Sequence, residues 1–311
     1  MKMHIACNID SNYVRFCSIM LVSLFENNKG ESFDIHIVSQ DLSEEGQKAL
    51  KDIVCGQYKQ RVYFYFVNTD LANDFPIDPT SHISISTYLR LFLGSVLPSS
   101  LSKVLYLDCD IIIRSSIAAF WNIDLTGYAI GCVEDMWSDR DENYSRLGYP
   151  KDFSYFNAGV LLVNLDYWRQ NDLENEFTNY VKHNAEKLLF NDQDVLNEVL
   201  HDKKLFIPFK WNMQDGFFRS RRRIRKETWD ILDKELCNPA ILHFTGSKKP
   251  WHYKCIHPYK SEFYVYQRLT KWKDCCPEVN YYFLFLMTIQ RLATSLKIKR
   301  RKFRKFKKQW I

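Results

Sequence analysis

Short β-like runs alternate with helical patterns along the first 110 residues of this chain. The runs are HIAC (4–7), FDIHIVS (33–39), RVYFYFV (61–67) and KVLYLD (103–108). Between them lie amphipathic segments, and Ser43 stands where a helix-capping residue is expected before one of these. Strands separated by helices are typical of a parallel sheet with crossover connections. The sequence therefore predicts an α/β fold with a mostly parallel sheet flanked by helices.

The same pattern continues to about residue 250. Two further strands are predicted at YAIGCV (128–133) and AGVLLVNL (158–165), and helical patterns cover residues 166–187 and 194–201. Beyond Pro250 the sequence becomes aromatic and basic without clear alternation. We therefore expect one domain over residues 1–250 and a separate C-terminal segment over residues 251–311.

Composition excludes several classes of protein. The chain has 311 residues, 46% apolar and 26% charged, as in ordinary globular proteins. Its nine cysteines include no C-x-x-C pair, and its N-terminus reaches Asp10 before any apolar stretch of signal-peptide length. The apolar run YYFLFLMTI (281–289) is far shorter than the roughly 20 residues that span a bilayer. We therefore expect a cytoplasmic protein without a transmembrane helix.

Two carboxylates come directly after the apolar run KVLYL (103–107). Asp108 and Asp110 are two residues apart, so in an extended chain their side chains point the same way. Burying an unpaired carboxylate costs several kcal/mol, and carboxylates favour hard divalent cations. His243 also follows an apolar run, and an imidazole ligand moves the preference from Mg²⁺ towards Mn²⁺. A lone D-x-D motif or a lone histidine is also common without a metal, so the residues alone leave both interpretations open.

Five segments in chain order carry a family resemblance. They are HISISTYLRLFLGSVLP (82–98), KVLYLDCDIIIR (103–114), YFNAGVLLVNLDYWR (155–169), NDQDVLNEVL (191–200) and HFTGSKKPWH (243–252). Together they resemble the retaining nucleotide-sugar glycosyltransferases of family 8, and most of all the bacterial galactosyltransferases of lipo-oligosaccharide core synthesis. The resemblance implies a GT-A fold that binds a UDP-hexose through Mn²⁺, or Mg²⁺.

The resemblance also implies roles for individual residues. The metal ligands are Asp108, Asp110 and His243, and Asp108 also lies against the donor. In the nucleotide loop the positions are Ala6, Asp10 and Asn12, with Tyr13 stacked on the uracil. The donor-sugar positions are Arg90, Asp135, Asn157, Ala158, Gly159, Asp192 and Gln193. Gly246 and Lys249 match the pyrophosphate contacts, and His82 the acceptor contact.

Some of these residues have plain structural explanations as well. Without the resemblance, Asp192 and Asp194 would serve as N-caps of a helix, and Gly159 would mark a strand bulge. Likewise Tyr13 would simply begin a helix, and Arg90 would pair with an anion or extend to solvent. These alternatives remain open at the level of the sequence.

The implied reaction is hexose transfer with retention of anomeric configuration, for which we expect catalytic roles for Arg90, Asp135, Asp192 and Gln193. Retaining glycosidases use a carboxylate nucleophile. Here Gln193 stands at the expected place, and an amide is a poor nucleophile. We therefore favour front-face attack, with Gln193 stabilising the sugar cation through its carbonyl, and Asp194 or Asp135 as alternative nucleophiles. The expected donor is UDP-galactose, with UDP-glucose as the alternative.

The C-terminal tail is basic and aromatic. Nine Lys or Arg residues lie between 297 and 308, whereas the rest of the chain has 34 basic and 37 acidic residues. Apolar residues recur there at helical spacing, at Leu292, Leu296, Phe303, Phe306 and Trp310. This pattern predicts a helical extension on an anionic membrane surface, where each base contributes about 1 kcal/mol. The alternative to membrane binding is a solvated, partly disordered tail.

A peripheral protein on the inner face of the inner membrane would meet a lipid-linked oligosaccharide acceptor, such as a lipopolysaccharide or lipo-oligosaccharide core. The basic run RSRRRIRK (219–226) and the tail also suggest a nucleic-acid binder as a rival function. The acidic balance of the remaining chain argues against it, so no nucleic-acid partner is expected. A non-catalytic sugar-nucleotide binder is a further rival, which the complete set of metal ligands disfavours.

Overall fold

The computed structural model describes residues 2–67, 85–219 and 223–277, and within the tail residues 285–286, 288–289, 292–293, 295–296 and 302–304. A seven-stranded sheet forms the centre. Its strands are β1 (Lys2–Asn8), β2 (Ser32–Ser39), β3 (Arg61–Phe66), β4 (Lys103–Leu107), β6 (Ile130–Glu134), β7 (Phe156–Asn164) and β8 (Lys204–Phe206). The spatial order is β3-β2-β1-β4-β7-β6-β8. The predicted α/β class is confirmed.

One strand of the large sheet runs in the opposite direction to the other six. The pairs β1–β2, β2–β3, β1–β4 and β6–β8 are parallel, whereas β7 is antiparallel to both β4 and β6. The sheet is thus mostly parallel, as predicted, and β7 alone runs the other way. Because β7 begins at the edge where β1, β4 and β6 end, its first residues meet their carboxyl ends.

A second, three-stranded sheet lies beside this edge. It contains β5 (Ile111–Ile113), β9 (Met213–Gln214) and β10 (Ile241–His243) in the order β5-β10-β9. Strand β10 is antiparallel to β5 and parallel to β9. The short segment from Asp108 to Asp110 connects β4 to β5 and so passes from the large sheet to the small one.

Ten α-helices are assigned in the described part of the chain. They are α1 (Val14–Glu26), α2 (Glu44–Lys51), α3 (Leu93–Val96), α4 (Ala118–Trp121), α5 (Asp141–Leu147), α6 (Leu165–Gln170), α7 (Leu173–Asn184), α8 (Asp192–Val199), α9 (Trp229–Glu235) and α10 (Lys260–Gln267). Ser43 caps α2 as predicted, because its Oγ accepts a hydrogen bond of 3.1 Å from the Gly46 amide. The long helix predicted over 166–187 is two helices, since Asp172 adopts a left-handed φ of 50° between them.

The core covers both faces of the large sheet, as alternation along β4 requires. Leu105 and Leu107 belong to one apolar cluster, which α1 and α10 cover. Val104 and Tyr106 point to the other cluster, which α6, α7 and α8 cover. The large sheet is therefore buried on both faces and holds its strand ends in fixed positions.

Residues 251–277 pack on the preceding part of the chain. Phe263 and Tyr266 of α10 belong to the cluster covered by α1, and Arg114 Nε lies 2.7 Å from Glu262 Oε2 in a buried ion pair. The indole ring of Trp251 stacks on the Phe16 ring at a centroid distance of 3.8 Å. The functional division predicted at residue 250 remains a prediction.

The described part of the tail departs from helical geometry at one place. Phe303 forms an isolated antiparallel bridge with Arg219, and the Arg304 amide donates to the Phe218 carbonyl at 2.9 Å. The helical spacing predicted through Phe303 is therefore wrong there, because the backbone pairs with another segment instead. Phe306 and Trp310 lie outside the described residues. Within the residues described, no helix is long and apolar enough to cross a bilayer.

Candidate active site

A cleft of about 420 Å³ opens where β1, β4 and β10 end and β7 begins. Twelve of the residues singled out in the sequence line it: Asp10, Tyr13, Arg90, Asp108, Asp110, Asn157, Ala158, Gly159, Asp192, Gln193, His243 and Lys249. The Asp108 amide donates to the Gly159 carbonyl at 2.9 Å, which joins the end of β4 to the start of β7. The fold thus brings together residues far apart in sequence.

Three side chains in the cleft form a set of metal-ligand type. One ligand atom each from Asp108, Asp110 and His243 lies within 4.8 Å of the others. His243 Nε2 is 3.1 Å from Asp110 Oδ1 and 3.8 Å from Asp108 Oδ2. Two carboxylates and one imidazole are suitable ligands for a divalent cation of the Mn²⁺ type.

A hydrogen-bond network determines which nitrogen of His243 faces these carboxylates. The Gly159 amide must donate, and it donates to Asn157 Oδ1 at 3.1 Å. Asn212 Nδ2 donates to the same oxygen at 2.9 Å, so Asn212 Oδ1 faces His243 Nδ1, also at 2.9 Å. Nδ1 of His243 therefore carries the hydrogen, as metal-bound histidines commonly do when a neighbouring oxygen orients them.

This network provides a test of whether a cation fits. In the neutral imidazole of this tautomer, Nε2 presents a lone pair towards Asp110 Oδ1, and Asp110 Oδ1 is buried and accepts no hydrogen bond. Two acceptor atoms 3.1 Å apart repel each other unless a positive charge lies between or beside them. A Cβ on Gly159 would lie 2.2 Å from His243 Cε1 and 2.6 Å from Asp108 Oδ2, so only glycine leaves room here. The residues fit a divalent cation.

Two cations of the protein itself flank the acidic pair. Lys249 Nζ contacts Asp110 Oδ2 at 2.5 Å and donates to the Phe244 carbonyl at 2.8 Å. Burial opposes ionisation of Asp110, yet the ammonium of Lys249 holds the pKa of its carboxyl well below the ordinary value. Asp110 is thus a carboxylate at neutral pH.

Arg90 is buried between two carboxylates. Its Nη2 lies 3.1 Å from Asp108 Oδ1 and its Nε 2.7 Å from Asp192 Oδ2. Its Nη1 donates to the Ala158 carbonyl at 2.7 Å. Burial raises the pKa of Asp192 to about 7 against the opposing effect of Arg90. The anion-paired alternative for Arg90 is the one observed, and the guanidinium links the end of β4 to the start of α8.

Gln193 is fixed by its amide at the floor of the cleft. Its Oε1 accepts hydrogen bonds from the Ala158 amide at 3.0 Å and from Asn157 Nδ2 at 3.2 Å. Asp135 lies behind it, with Oδ2 3.1 Å from Asn157 Nδ2 and 3.5 Å from Gln193 Nε2. Asp135 is 3% exposed, and burial raises its pKa. Asp135 therefore contacts the cleft residues without lining the cleft.

Asp194 belongs to a buried network of ion pairs and hydrogen bonds. Its carboxylate is fully buried and forms a bidentate ion pair with Arg146 at 2.7 and 2.9 Å. It also accepts hydrogen bonds from the Leu189 and Phe190 amides and from the Tyr155 hydroxyl. Asp194 does not line the cleft and its oxygens accept these hydrogen bonds, which favours a structural role; the alternative that it attacks the sugar stays a prediction.

The nucleotide end of the cleft differs from the sequence prediction at Ala6. Ala6 is fully buried within β1, two residues before the strand ends, and does not line the cleft, so its assignment to substrate binding stays a prediction without support from the cleft. Asn8 takes that place: it lines the cleft, and neither atom of its amide makes a hydrogen bond. Tyr13 is 42% exposed there. Asp10 Oδ1 accepts from the Asn12 and Tyr13 amides at 2.8 and 3.0 Å.

The other predicted residues lie beside the cleft or beyond the described chain. Asn12 is exposed and does not line the cleft. Gly246 packs against Asp215, because a Cβ there would lie 2.5 Å from Asp215 Oδ2. His82 lies outside the described residues. Asn8, which lies within the nucleotide loop, and Asn212 are two polar residues of the site that the sequence did not single out.

Comparisons with known proteins agree with this arrangement. A family model described as Glycosyl transferase family 8 matches residues 4–255. General stress protein A of Bacillus subtilis (strain 168) is 26% identical over 279 residues, which cover 87% of this chain and 94% of that protein. Lipopolysaccharide 1,2-glucosyltransferase of Escherichia coli (strain K12) is 28% identical over 279 residues, covering 88% and 80% of the two chains.

A solved structure is similar as well. The crystal structure of the galactosyltransferase LgtC in complex with donor and acceptor sugar analogues superposes with a TM-score of 0.78 at 27% identity. The similarity covers 89% of this chain and 98% of that one. The central sheet and its flanking helices are therefore arranged as in that enzyme.

Proposed function

The chain belongs to glycosyltransferase family 8, and from this membership we propose that it transfers galactose from UDP-galactose to a terminal sugar of a lipopolysaccharide or lipo-oligosaccharide core. The observation that carries the proposal is the ligand set of Asp108, Asp110 and His243 in one cleft with Lys249. That set offers charge for a diphosphate beside a pocket wide enough for a sugar. UDP-glucose is the alternative donor.

Donor binding would begin at the nucleotide end. The half-exposed ring of Tyr13 offers the uracil a stacking surface worth roughly 1–3 kcal/mol. The amide of Asn8, which makes no hydrogen bond within the protein, offers one donor and one acceptor to the edge of the base. Asp10 is the nearest carboxylate for ribose hydroxyls, with Oδ2 left after its Oδ1 caps the following turn.

A divalent cation bound to Asp108, Asp110 and His243 would supply Lewis-acid stabilisation to the diphosphate. Lys249 adds a mobile charge at the same place. Its ammonium now contacts Asp110, and it would turn to the leaving phosphate as negative charge develops there. The residues of the chain thus assist departure of UDP.

Retention would follow from attack on the same face of the sugar. This is supported by the ion pair of Asp194 with Arg146 and by the position of Asp135 behind the side chains of Asn157 and Gln193. The departing phosphate oxygen would then accept the proton of the acceptor hydroxyl. Gln193 would act through the edge of its side-chain carbonyl, held in place by the Ala158 amide. A sugar covalently trapped on Asp135 or Asp194 would overturn this front-face mechanism.

The donor and the acceptor can be tested in one experiment. UDP release is measured with UDP-galactose and with UDP-glucose, against lactose and against lipid-linked cores, in Mn²⁺, Mg²⁺ or chelator. We expect release that depends on the metal, is faster with UDP-galactose and is stimulated by an acceptor. Faster release with UDP-glucose would replace the donor assignment, and no release with either sugar would refute the proposed function.

We also propose a location for the enzyme. The catalytic part, residues 1–250, would work in the cytoplasm, and the segment 251–311 would hold it to the inner face of the inner membrane through the bases of its tail. The support is the charge pattern of residues 297–308. The lipid-linked acceptor would then diffuse in the plane to which the enzyme is bound.

A further inference from the structure

Three arginine side chains converge on one indole ring beside the cleft. The Cζ atoms of Arg140, Arg223 and Arg219 lie 4.0, 5.1 and 5.5 Å from the centroid of the Trp137 ring. We call these four residues the arginine cluster. Arg140 belongs to the turn before α5, whereas Arg219 and Arg223 belong to the basic run that begins at residue 219. Tertiary structure rather than local sequence therefore assembles the cluster.

The charge of the cluster is not neutralised within the described chain. The nearby Asp139 pairs with Lys151 at 3.1 Å, and Glu134 pairs with Arg225 at 3.4 Å. Among the described residues no carboxylate pairs with Arg140 or Arg223, and Arg219 has only Asp215 at 3.9 Å. Moreover, Nε of Arg140 and Nε of Arg219 are buried and make no hydrogen bond. Like charges gathered with unsatisfied donors favour a bound anion.

The cluster is connected to the cleft through two short links. The Trp137 amide donates to Asp135 Oδ1 at 2.8 Å, and the other oxygen of Asp135 contacts Asn157 and Gln193 at the cleft floor. Met136, the preceding residue, contacts Thr245 of the cleft wall through its sulfur at 3.4 Å. The cluster thus lies next to Asp135 and to the wall of the cleft at Thr245.

We propose that the arginine cluster binds a phosphate or carboxylate group on the acceptor saccharide, so that the enzyme selects acidic acceptors. This inference rests on the proposed function and specifies its acceptor class. Guanidinium groups match the oxygens of phosphate and carboxylate in a fixed planar geometry. The indole holds the three guanidiniums in position and also offers an apolar face for a sugar ring.

The test uses the full chain saturated with UDP and Mn²⁺, so that phosphate cannot bind at the donor site. Binding of galactose 6-phosphate and of galactose is measured by calorimetry. We expect the phosphorylated sugar to bind about tenfold more tightly, and salt to weaken that preference. The double variant R140Q/R223Q should lose the preference, whereas K226Q, which removes an exposed charge from the same basic run, should keep it.

Several outcomes would overturn the inference. Equal binding of the two sugars, or a preference that survives in R140Q/R223Q, means that the cluster does not select acidic saccharides. If R140Q/R223Q instead loses binding to phosphatidylglycerol vesicles while sugar binding is unchanged, the cluster binds the membrane. Thermal unfolding confirms that the variants fold. Hydrolysis of the UDP-sugar by water is measured separately, so that failure of the donor proposal is distinguished from failure of this one.

Discussion

Asn212 shows how a residue without any motif can govern a site. It is fully buried and links His243 to Asn157, and through Asn157 to the backbone of Gly159. The Gly159 amide, which can only donate, fixes the tautomer of a histidine three hydrogen bonds away. The two asparagines transmit this constraint because each has one donor end and one acceptor end.

Replacing Asn212 should therefore weaken metal binding. In Asn212→Leu the Nδ1 hydrogen of His243 loses its acceptor, and we expect about 10- to 100-fold lower Mn²⁺ affinity, measured by electron paramagnetic resonance of the free ion. In Asn212→Asp the acceptor for Nδ1 remains but an oxygen replaces the donor that faces Asn157 Oδ1, so we expect a smaller loss of affinity than in Asn212→Leu. Equal affinity in the leucine variant, with its fold intact, would contradict the orienting role.

Gly159→Ala should also abolish Mn²⁺ binding. The new Cβ would lie 2.2 Å from His243 Cε1 and 2.6 Å from Asp108 Oδ2, so it must displace two ligands. Gly56→Ala is the matched control, since the nearest atom to its Cβ is 3.9 Å away. Calorimetric titration with Mn²⁺ and far-UV circular dichroism separate lost binding from lost structure. A Gly159→Ala protein that binds normally would show that the backbone shifts without cost.

The sequence predicted the acidic part of this site and Asn157, and missed two other asparagines. Asp108 and Asp110 are recognisable because two charges follow an apolar strand at the spacing that places them on one side. Asn8 and Asn212 carry no such signal, since a single asparagine near a strand end is common in any protein. Their importance appears only in the folded chain, where the end of β1 reaches the cleft and Asn212, just before β9, contacts His243.

At the level of elements, Asp194 holds the start of α8 and the loop that lines the cleft. It ties Arg146 of α5 to the amides of Leu189 and Phe190. Leu189, Phe190 and Asn191 line the cleft, so this carboxylate shapes the sugar pocket from behind. Removing its charge would leave Arg146 facing a buried amide.

Asp194→Asn should consequently lower the free energy of unfolding by about 3–5 kcal/mol. Urea denaturation measures the loss. Asp166→Asn is the control, because Asp166 is half-exposed and 3.8 Å from Arg169, and we expect a change within about 0.5 kcal/mol. A similar stability for the two variants would mean that solvent or a rearranged loop satisfies Arg146.

The neighbouring strands β1 and β2 of the large sheet contain a pair of histidines that should make stability depend on pH. His36 Nε2 lies 3.0 Å from His4 Nδ1, and His36 Nδ1 is 2.9 Å from the Tyr65 hydroxyl. Burial, together with His4 and in opposition to Asp34, lowers the pKa of His36 to about 4. His36 therefore binds a proton near pH 4 in the folded chain, whereas in the unfolded chain it binds one near pH 6.5.

The sign follows from this difference. As pH falls from about 6.5 to about 4, the unfolded state binds the proton first, so the contribution of His36 to stability is present above this window and is lost through it. We expect a loss of about 3 kcal/mol across the window. His36→Gln should flatten that part of the profile of unfolding free energy against pH. An unchanged slope in the variant would assign the effect to other groups.

Strand positions were predictable, whereas strand direction was not. The apolar runs of β1, β2, β3, β4 and β7 stand out from the sequence because each is short and bounded by polar residues. Nothing in the run at 158–165 indicates that β7 is antiparallel, since buried strands read alike in either direction. The sheet geometry decides it, and with it the meeting of Asn157 and Asp108.

For the whole molecule, the C-terminal region divides into a packed part and a basic tail. Residues 251–277 contribute Trp251, Phe263 and the ion pair of Glu262 to the body of the protein. Deleting residues 282–311 should release the protein from anionic vesicles, while transfer to a soluble acceptor survives. Vesicle sedimentation with phosphatidylglycerol and with neutral lipid measures this.

Truncation at residue 250 serves as the contrasting deletion. It removes the stack on Phe16 and leaves Arg114 buried without Glu262, so we expect loss of cooperative unfolding. Unchanged sedimentation after deletion of 282–311 would count against membrane binding by the tail. The contact of Phe303 with Arg219 also disappears in that deletion, at a small cost in stability.

The ligand set straddles the junction of two sheets. Asp108 ends the large sheet, whereas Asp110 precedes β5 and His243 ends β10 of the small sheet. An ion bound by all three would link the large sheet to the small one, and its occupancy would be thermodynamically coupled to the packing of the two sheets. Any displacement of one sheet relative to the other would increase the distances between the ligand atoms, and its first effect would be on the position of the donor sugar.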